Sequence, residues 1–335
     1  MEASKEFPLY SVYIVTDSGK LDLTPVLISL SFNDQKKQMA QSLTAQFVNI
    51  LFNGVWLSTT LQVRQRIFVY ADDGETNDEV FRGYVWSRTY QSGVGDREIT
   101  LKCYDNLIYI QESEVSEYFS AGKSTQDVIT ELLGNWGVSV DYQFDSITHA
   151  KLALRGSLGD IITNDLLNLV VDRNAKKYMI TSSKDTIKIA EYGSNSKIYN
   201  IKFQENAIQT RSISTMDDMV TQVVITGKAD EEGREPVEAT VSGNTGQYGT
   251  IQQVISRDEN TSLADAKAEA QGILDENGEP KWEYEIRVAD IPWLRKGDKV
   301  FVAAGDIDNR ELIVTGVSRS ISAKAATMTL DLERP

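Results

Sequence analysis

The chain has 335 residues, 41% of them hydrophobic and 25% charged, which is ordinary for a soluble globular protein and allows two or three domains with real cores. Its 34 basic and 49 acidic residues give a net charge of −15, which argues against a nucleic-acid-binding surface, because such a surface needs a basic stripe. The single cysteine, Cys103, excludes an intrachain disulfide and a Cys-based zinc site.

The charged start Met1–Glu6 leads into no long apolar stretch, so no leader peptide is expected. No apolar run approaches the ~20 residues that cross a bilayer. The expectation is a chain made and kept in the cytosol, or exported without a leader, that does not insert into a membrane. Leu9–Thr16 reads as a strand and Asp17-Ser18-Gly19 as its turn. Val26, Ile28, Leu30 and Phe32 alternate with polar partners, as do Leu43, Ala45 and Phe47, giving strands with one buried face. A meander follows: Arg66–Ala71, the acidic turn from Asp72, Phe81–Arg88 and Ile99–Tyr104. Residues 1–110 are thus expected to form an all-β domain of at least six strands, a barrel or sandwich, since closure removes sticky edges.

The composition then changes. Ser124-Thr125-Gln126-Asp127 is a helix start, with Val128, Ile129, Leu132, Leu133 and Trp136 on one face and Gly134 and Gly137 at the end. Val138–Phe144 reads as a strand. Ser157-Leu158-Gly159-Asp160 opens a second helix with Ile162, Leu166, Leu169 and Val170 inward and Asn174 suited to a left-handed exit. Tyr178–Thr181 and Ile187–Ala190 form a hairpin around Ser182–Asp185. Residues 111–193 are therefore expected to be a small α+β domain.

From 194 the β pattern returns, with strands at Val220–Thr226 and Ile251–Ser256 and a polar loop, Gly227–Thr250, between them. Ser262 starts a third helix, with Ala266, Ala270, Ile273 and Leu274 inward and Asn277-Gly278 and Pro280 at its stop. Trp282–Val288 is a strand. The meander pattern then recurs: Lys299–Ala304, a turn at Gly305–Asn309, Leu312–Arg319 and Thr327–Leu332. Phe68 and Gly83 are separated by the same interval as Phe301 and Gly316, and each middle strand ends in Ser-Arg. Residues 194–335 are read as a second β-barrel domain with an inserted helix, related to the first.

No constellation carries chemistry. His149 is the only histidine and sits in a loop sequence, while Cys103 shares a strand face with Ile99 and Leu101 and reads as core, so no Cys-His or Ser-His site is expected. Glu112, Glu114 and Glu117, and Asp217 with Asp218, are acidic neighbours that a glycosidase could use, but solvated faces produce the same pattern. Asp72–Glu79 and Asp306–Asn309 lack EF-hand spacing and read as turn tips. There is no phosphate-binding glycine loop. The five tryptophans are scattered, and the basic spots Arg64-Gln65-Arg66 and Arg295-Lys296 are too small to bind nucleic acid. No catalytic, cofactor-binding or metal residues are assigned, and no enzymatic activity or cofactor is expected.

The stretch Leu294-Arg295-Lys296-Gly297-Asp298-Lys299-Val300-Phe301-Val302, the arm Leu312–Ser318 and the finish Thr327–Leu330, together with the domain order, resemble the XkdQ-like and late-control-protein-D-like baseplate hubs of contractile phage tails and phage-tail-like bacteriocins. The resemblance implies a β-rich α+β fold with two tail-tube-like antiparallel barrels and a small α+β domain between them. It implies a homotrimer whose six barrels match a six-fold tail tube above and a three-fold spike below, with other baseplate proteins as neighbours. An acidic lumen would let tail contents pass. It implies assembly into the baseplate after synthesis in the bacterial cytoplasm, with any wall-degrading activity on a partner. Two other readings compete: a tail-associated peptidoglycan hydrolase using carboxylates, and an adhesion module built of β-domains. The 227–250 loop is a candidate inter-subunit contact.

Overall fold

The computed structural model describes residues 7–334 except 53, 94–96, 175, 204, 259 and 260; the charged start Met1–Glu6 and Pro335 lie outside the described residues. No described helix is long and apolar enough to cross a membrane. The protein is β-rich, and the chain divides into two compact units, residues 1–211 with 285–335 and residues 212–284.

Alternation dictates the first elements. β1 (Leu9–Thr16) turns Val12 and Ile14 inward, and β2 (Gly19–Asp22) returns beside it. β3 (Leu27–Asp34) buries Leu30 and Phe32, and β4 (Ser42–Val48) buries Leu43, Ala45 and Phe47. A short hairpin, β5 (Leu51–Phe52) and β6 (Val55–Trp56), precedes the meander of β7 (Arg66–Asp72), β8 (Asn77–Ser92) and β9 (Arg97–Tyr104). The inward faces of β1, β3, β4, β7, β8 and β9 share one core, in which each fully buried Leu, Ile or Phe contributes about 1.5–3 kcal/mol.

A second core lies under β10 (Glu114–Phe119), β11 (Ser139–Gln143), β12 (Leu152–Ser157), β13 (Tyr178–Ser183) and β14 (Thr186–Glu191). Helix Thr125–Leu132 starts on a full capping box: Ser124 and Asp127 each accept from the other's backbone N–H. Gly137, at φ 61°, ends the 3-10 turn that follows, while Gly134 lies inside that turn. The next helical stretch, 158–174, differs from expectation. Ile161–Leu167 is wound as a π-helix, and the extra residue per turn rotates the buried face onto Ile161, Ile162, Leu166, Leu167 and Val170. Leu169, expected inward, is 42% exposed. Asn174 is the last helical residue, and its side-chain amide donates to the Asp145 carbonyl.

The chain returns to strands with β15 (Tyr199–Lys202) and β16 (Ala207–Thr215). In the unit 212–284, β17 (Gln222–Thr226) lies between antiparallel β18 (Val237–Ser242) and parallel β19 (Gln252–Ser256). Helix Leu263–Asn277 packs Ala266, Ala270 and Leu274 into a core with Val223 and Ile225. The stretch 227–250 is therefore not one loop. Val237, Ala239 and Val241 alternate as a strand, a period hidden by the surrounding Glu, Gly and Thr. β20 (Lys281–Ala289), β21 (Lys299–Ala304), β22 (Ile307–Ser322) and β23 (Ala326–Glu333) complete the chain.

The large sheet runs β16-β20-β23-β22-β3-β4-β9-β8-β7-β1-β2, with β21 beside β22 and β15 beside β21. Both meanders have a 16-residue central strand carrying a bulge against the last strand, between Val85 and Ser87 and between Val314 and Gly316. Matched at the bulges, Ile67 opposite Gly83 corresponds to Val300 opposite Leu312. Gly316 thus lies beyond the counterpart of Gly83, opposite Asp331 on the other flank. The sequence interval equated the wrong glycines because the hairpins differ: the second turns tightly across Gly305-Asp306, and the first needs Asp73–Thr76.

The entries to the two meanders agree in detail. Arg64 N donates to Val85 O and Val85 N to Gln65 O; Gly297 N donates to Val314 O and Val314 N to Asp298 O. Arg64 and Gly297 both have positive φ, 69° and 90°. Gln65 accepts from Gln62 N at 2.8 Å, as Asp298 does from Arg295 N at 2.8 Å. Arg88 donates to the carbonyls of Ser58 and Leu61, and Arg319 to those of Ile291 and Leu294.

Candidate assembly surfaces

Two of the residues that could have carried chemistry, His149 and Cys103, are buried in the fold. His149 is buried, its Nε2 2.8 Å from Thr125 Oγ1, and burial holds its pKa below the usual value. Its backbone pairs with Lys123 and Gly122, so it braces the helix start at Ser124. Cys103 is fully buried opposite Leu43, and burial pushes its thiol pKa up. Glu112, Glu114 and Glu117 are exposed, as are Asp217 and Asp218, and Asp218 faces Lys281 at 3.5 Å. In the acidic turn, Asp72 Oδ1 accepts from Gly74 N, and Asp73 Oδ1 accepts from Glu75 N and Thr76 N. No cluster of three or more metal-ligating side chains occurs among the described residues.

The stretch before β21 is a clasp. Trp293 Nε1 donates to Asp73 Oδ2 at 2.6 Å, and Arg295 donates to Val80 O at 2.6 Å and to Gln41 Oε1 at 3.2 Å. Lys296 is buried in an ion pair with Asp34 at 2.7 Å and donates to the carbonyls of Gln35 and Gln38. Arg319 and Asp290 form a second buried pair at 3.1 Å, and the Tyr10 hydroxyl donates to the same carboxylate. Only glycine fits at 297, where a Cβ would strike Met179. These bonds tie the last strands to the first ones around the β3–β22 seam. Burial and the nearby Asp34 charge push Asp105 up to about 8, burial pushes Asp298 up to about 6, and burial lowers the Arg295 guanidinium pKa. The sequence signal was present in Trp293-Leu294-Arg295-Lys296, but two adjacent cations read as a weak surface patch, because nothing local says that Asp34 lies opposite.

A second polar joint holds the β13–β14 turn. Asp185 accepts from Arg66 and Arg82, Lys184 pairs with Asp78 at 2.8 Å, and Asn106 donates to Asp185 O. An open groove of about 730 Å³ runs beside the π-helix, lined by Lys36, Lys37, Glu112, Asp160, Asn164 and Tyr178 among others. It mixes charges of both signs without a nucleophile–base pair.

Two kinds of surface remain uncovered. Val48, Ile50, Leu51, Phe52, Val55 and Trp56 form an exposed apolar hairpin, with Leu51 56% exposed. Contiguous apolar surface of this kind marks contact sites. The outer half of β8, Trp86–Ser92, is also exposed and pairs only with β9, and β16 ends the large sheet with Ile208 53% exposed.

This fold is shared over nearly its whole length. The tail protein from Neisseria meningitidis MC58 matches with a TM-score of 0.70 at 13% identity, covering 97% of this chain and 96% of that one. The 43 kDa tail protein of prophage MuSo2 from Shewanella oneidensis matches with 0.71 at 14% identity, covering 97% and 98%. The E. coli c3393 protein, a type VI secretion component described as similar to the T4 tail proteins gp27 and gp5, matches with 0.58 at 9% identity, covering 92% and 74%. No curated protein matches in sequence. The family model described as YQBQ-like matches residues 30–333, and the chain belongs to that phage-related family.

Proposed function

We propose that this chain is a structural baseplate hub subunit that joins a six-fold tail tube to a three-fold spike in a phage tail or tail-like particle. Its trimer presents six pseudo-equivalent barrels. One observation carries the reading: the second meander repeats the first in its entry turn and its bulge, and in each an arginine of the central strand, placed two residues further along in the second, holds the two entry carbonyls. A chain with two such modules turns three copies into six stations, which resolves the symmetry mismatch without catalysis. The full-length likeness to two tail proteins, and to a secretion component described as similar to gp27 and gp5, supports the same role.

In this reading residues 1–110 and 194–335 are the sister barrels, residues 111–193 the α+β domain between them, and 212–284 a compact insertion. The partners are the tube protein, the spike protein and other baseplate proteins. The chain is made in the bacterial cytoplasm, has no catalytic or nucleic-acid-binding role, and lines a lumen with part of its negative charge. The test is particle imaging with a tagged chain, alongside deletion. Three copies at the junction of tube and spike, and loss of complete particles on deletion, are expected. Six copies, or a position away from that junction, would sink the proposal.

A further inference from the structure

The seam between the two meanders points to a contact between chains. Within the chain, the outer half of β22 does not end in solvent. Val317–Ser322 pairs antiparallel with Ser29–Asp34 of β3, and Val317 and Ile321 are buried there. Matched at the bulges, the counterpart of this segment is the outer half of β8, from Arg88 on. That segment pairs with β9 on one side only, and among the described residues its other edge carries no backbone partner.

The strand that would cover it can also be named. In sheet order β3-β4-β9-β8-β7 runs parallel in plan to β16-β20-β23-β22-β21, so β16 is the counterpart of β3. β3 has two neighbours, β4 and β22. β16 has β20 alone in the sheet path and stands at its end. Among the edge strands of unit 1, these two are the counterparts of the two edges that meet inside the chain. Neither is blunted as free edges usually are: the first lies beside the apolar hairpin, where Trp56 stacks under Arg97 at 5.0 Å, and the second exposes Ile208 and, just before it, Phe203.

We propose that Arg88–Ser92 of β8 receives Ala207–Arg211 of β16 from a second copy of this chain, repeating between chains the β3–β22 pairing made within one. The contact is heterologous: each copy offers β16 to one neighbour and β8 to the other, and in a trimer it closes a ring. The apolar hairpin 48–56 then covers one face of the joined strands. This rests on the trimer reading above and names the contact that closes it.

The test is disulfide trapping in the full chain at on the order of 1 mM, where even a weak contact is populated. Opposed strand residues lie about 4.5–5.5 Å apart, within disulfide reach. Gln91→Cys is combined in one chain with Ile208→Cys, Gln209→Cys, Thr210→Cys or Arg211→Cys in turn; Cys103 is buried and does not compete. At least one combination is expected to give a covalent closed oligomer under oxidation, while each single variant stays a monomer on a non-reducing gel. No cross-link in any combination, or cross-linking by a single variant alone, would overturn the contact. The native mass separates the two readings. A trimer without the cross-link sinks this contact and keeps the trimer. A cross-linked ring of another number keeps the contact and sinks the trimer.

Discussion

Asp105 is a buried carboxyl whose protonation is coupled to folding. Its carboxyl is buried, accepts from Gln41 N and Leu107 N, and shares its surroundings with the Lys296–Asp34 pair, so a second negative charge there is unfavourable. Its pKa is pushed up to about 8, against about 3.9 for a free aspartate. A raised carboxyl favours the folded state below the unfolded value, and that contribution is lost as pH rises through the folded value. The wild-type melting temperature, relative to that of Asp105→Asn, should therefore fall between pH 4 and pH 8; parallel melting profiles for the two proteins would remove the assignment. The glycines of the two meanders give a second residue-level contrast. A Cβ at Gly83 would sit 2.1 Å from the Tyr104 carbonyl oxygen, which is backbone and cannot yield. At Gly316 the nearest atoms, at 2.4 Å, are the ends of the Asp331 and Gln35 side chains, which can swing away. Gly83→Ala should cost about 1–3 kcal/mol by urea unfolding, and Gly316→Ala clearly less; equal losses would show the two positions to be alike after all.

At the scale of elements, legibility followed the range of the forces. The Ser-x-x-Asp helix starts were readable because their hydrogen bonds close within four residues, and all three accept at the expected backbone N–H. The strands of the meanders were readable from alternation, as was the burial of Leu43, Ala45 and Phe47. What failed had causes outside the local pattern. β10, β12, β15 and β16 were not singled out, since strands such as Glu114–Phe119 and Ala207–Thr215 bury little and show no clean period. The bonds of Trp293, Arg295 and Lys296 to the first strands were invisible because each spans more than two hundred residues. The π-helix was missed because a 3.6-residue period was imposed on a segment wound more loosely. That yields a direct check: Leu166→Ala should cost about 2–5 kcal/mol, and Leu169→Ala under about 0.5 kcal/mol. A regular α-helix would make both costly in chemical denaturation.

On the scale of the molecule, the two β-modules are joined by a seam with the character of a protein interior. Two buried ion pairs flank it, and each is a liability if broken, because a lone buried charge is strongly destabilising. The apolar and backbone contacts of β3 with β22 supply the rest. The unit 212–284 has a core of its own and is reached by two chain crossings, out through β16 and back through β20, which are hydrogen-bonded neighbours in the sheet. The ends of the crossing thus lie about one strand spacing, roughly 5 Å, apart. A short Gly-Ser turn can bridge that gap, and loop closure of a few residues costs little compared with the cores it leaves intact. Replacing 212–284 by such a turn between Arg211 and Glu285 should leave the rest folded, with the amides of β3 and β22 as protected from hydrogen exchange as in the full chain. Rapid exchange along that seam in the shortened protein would mean that the insertion is required to hold the two modules together, and the seam would then not be the self-sufficient joint that its buried pairs and paired strands imply.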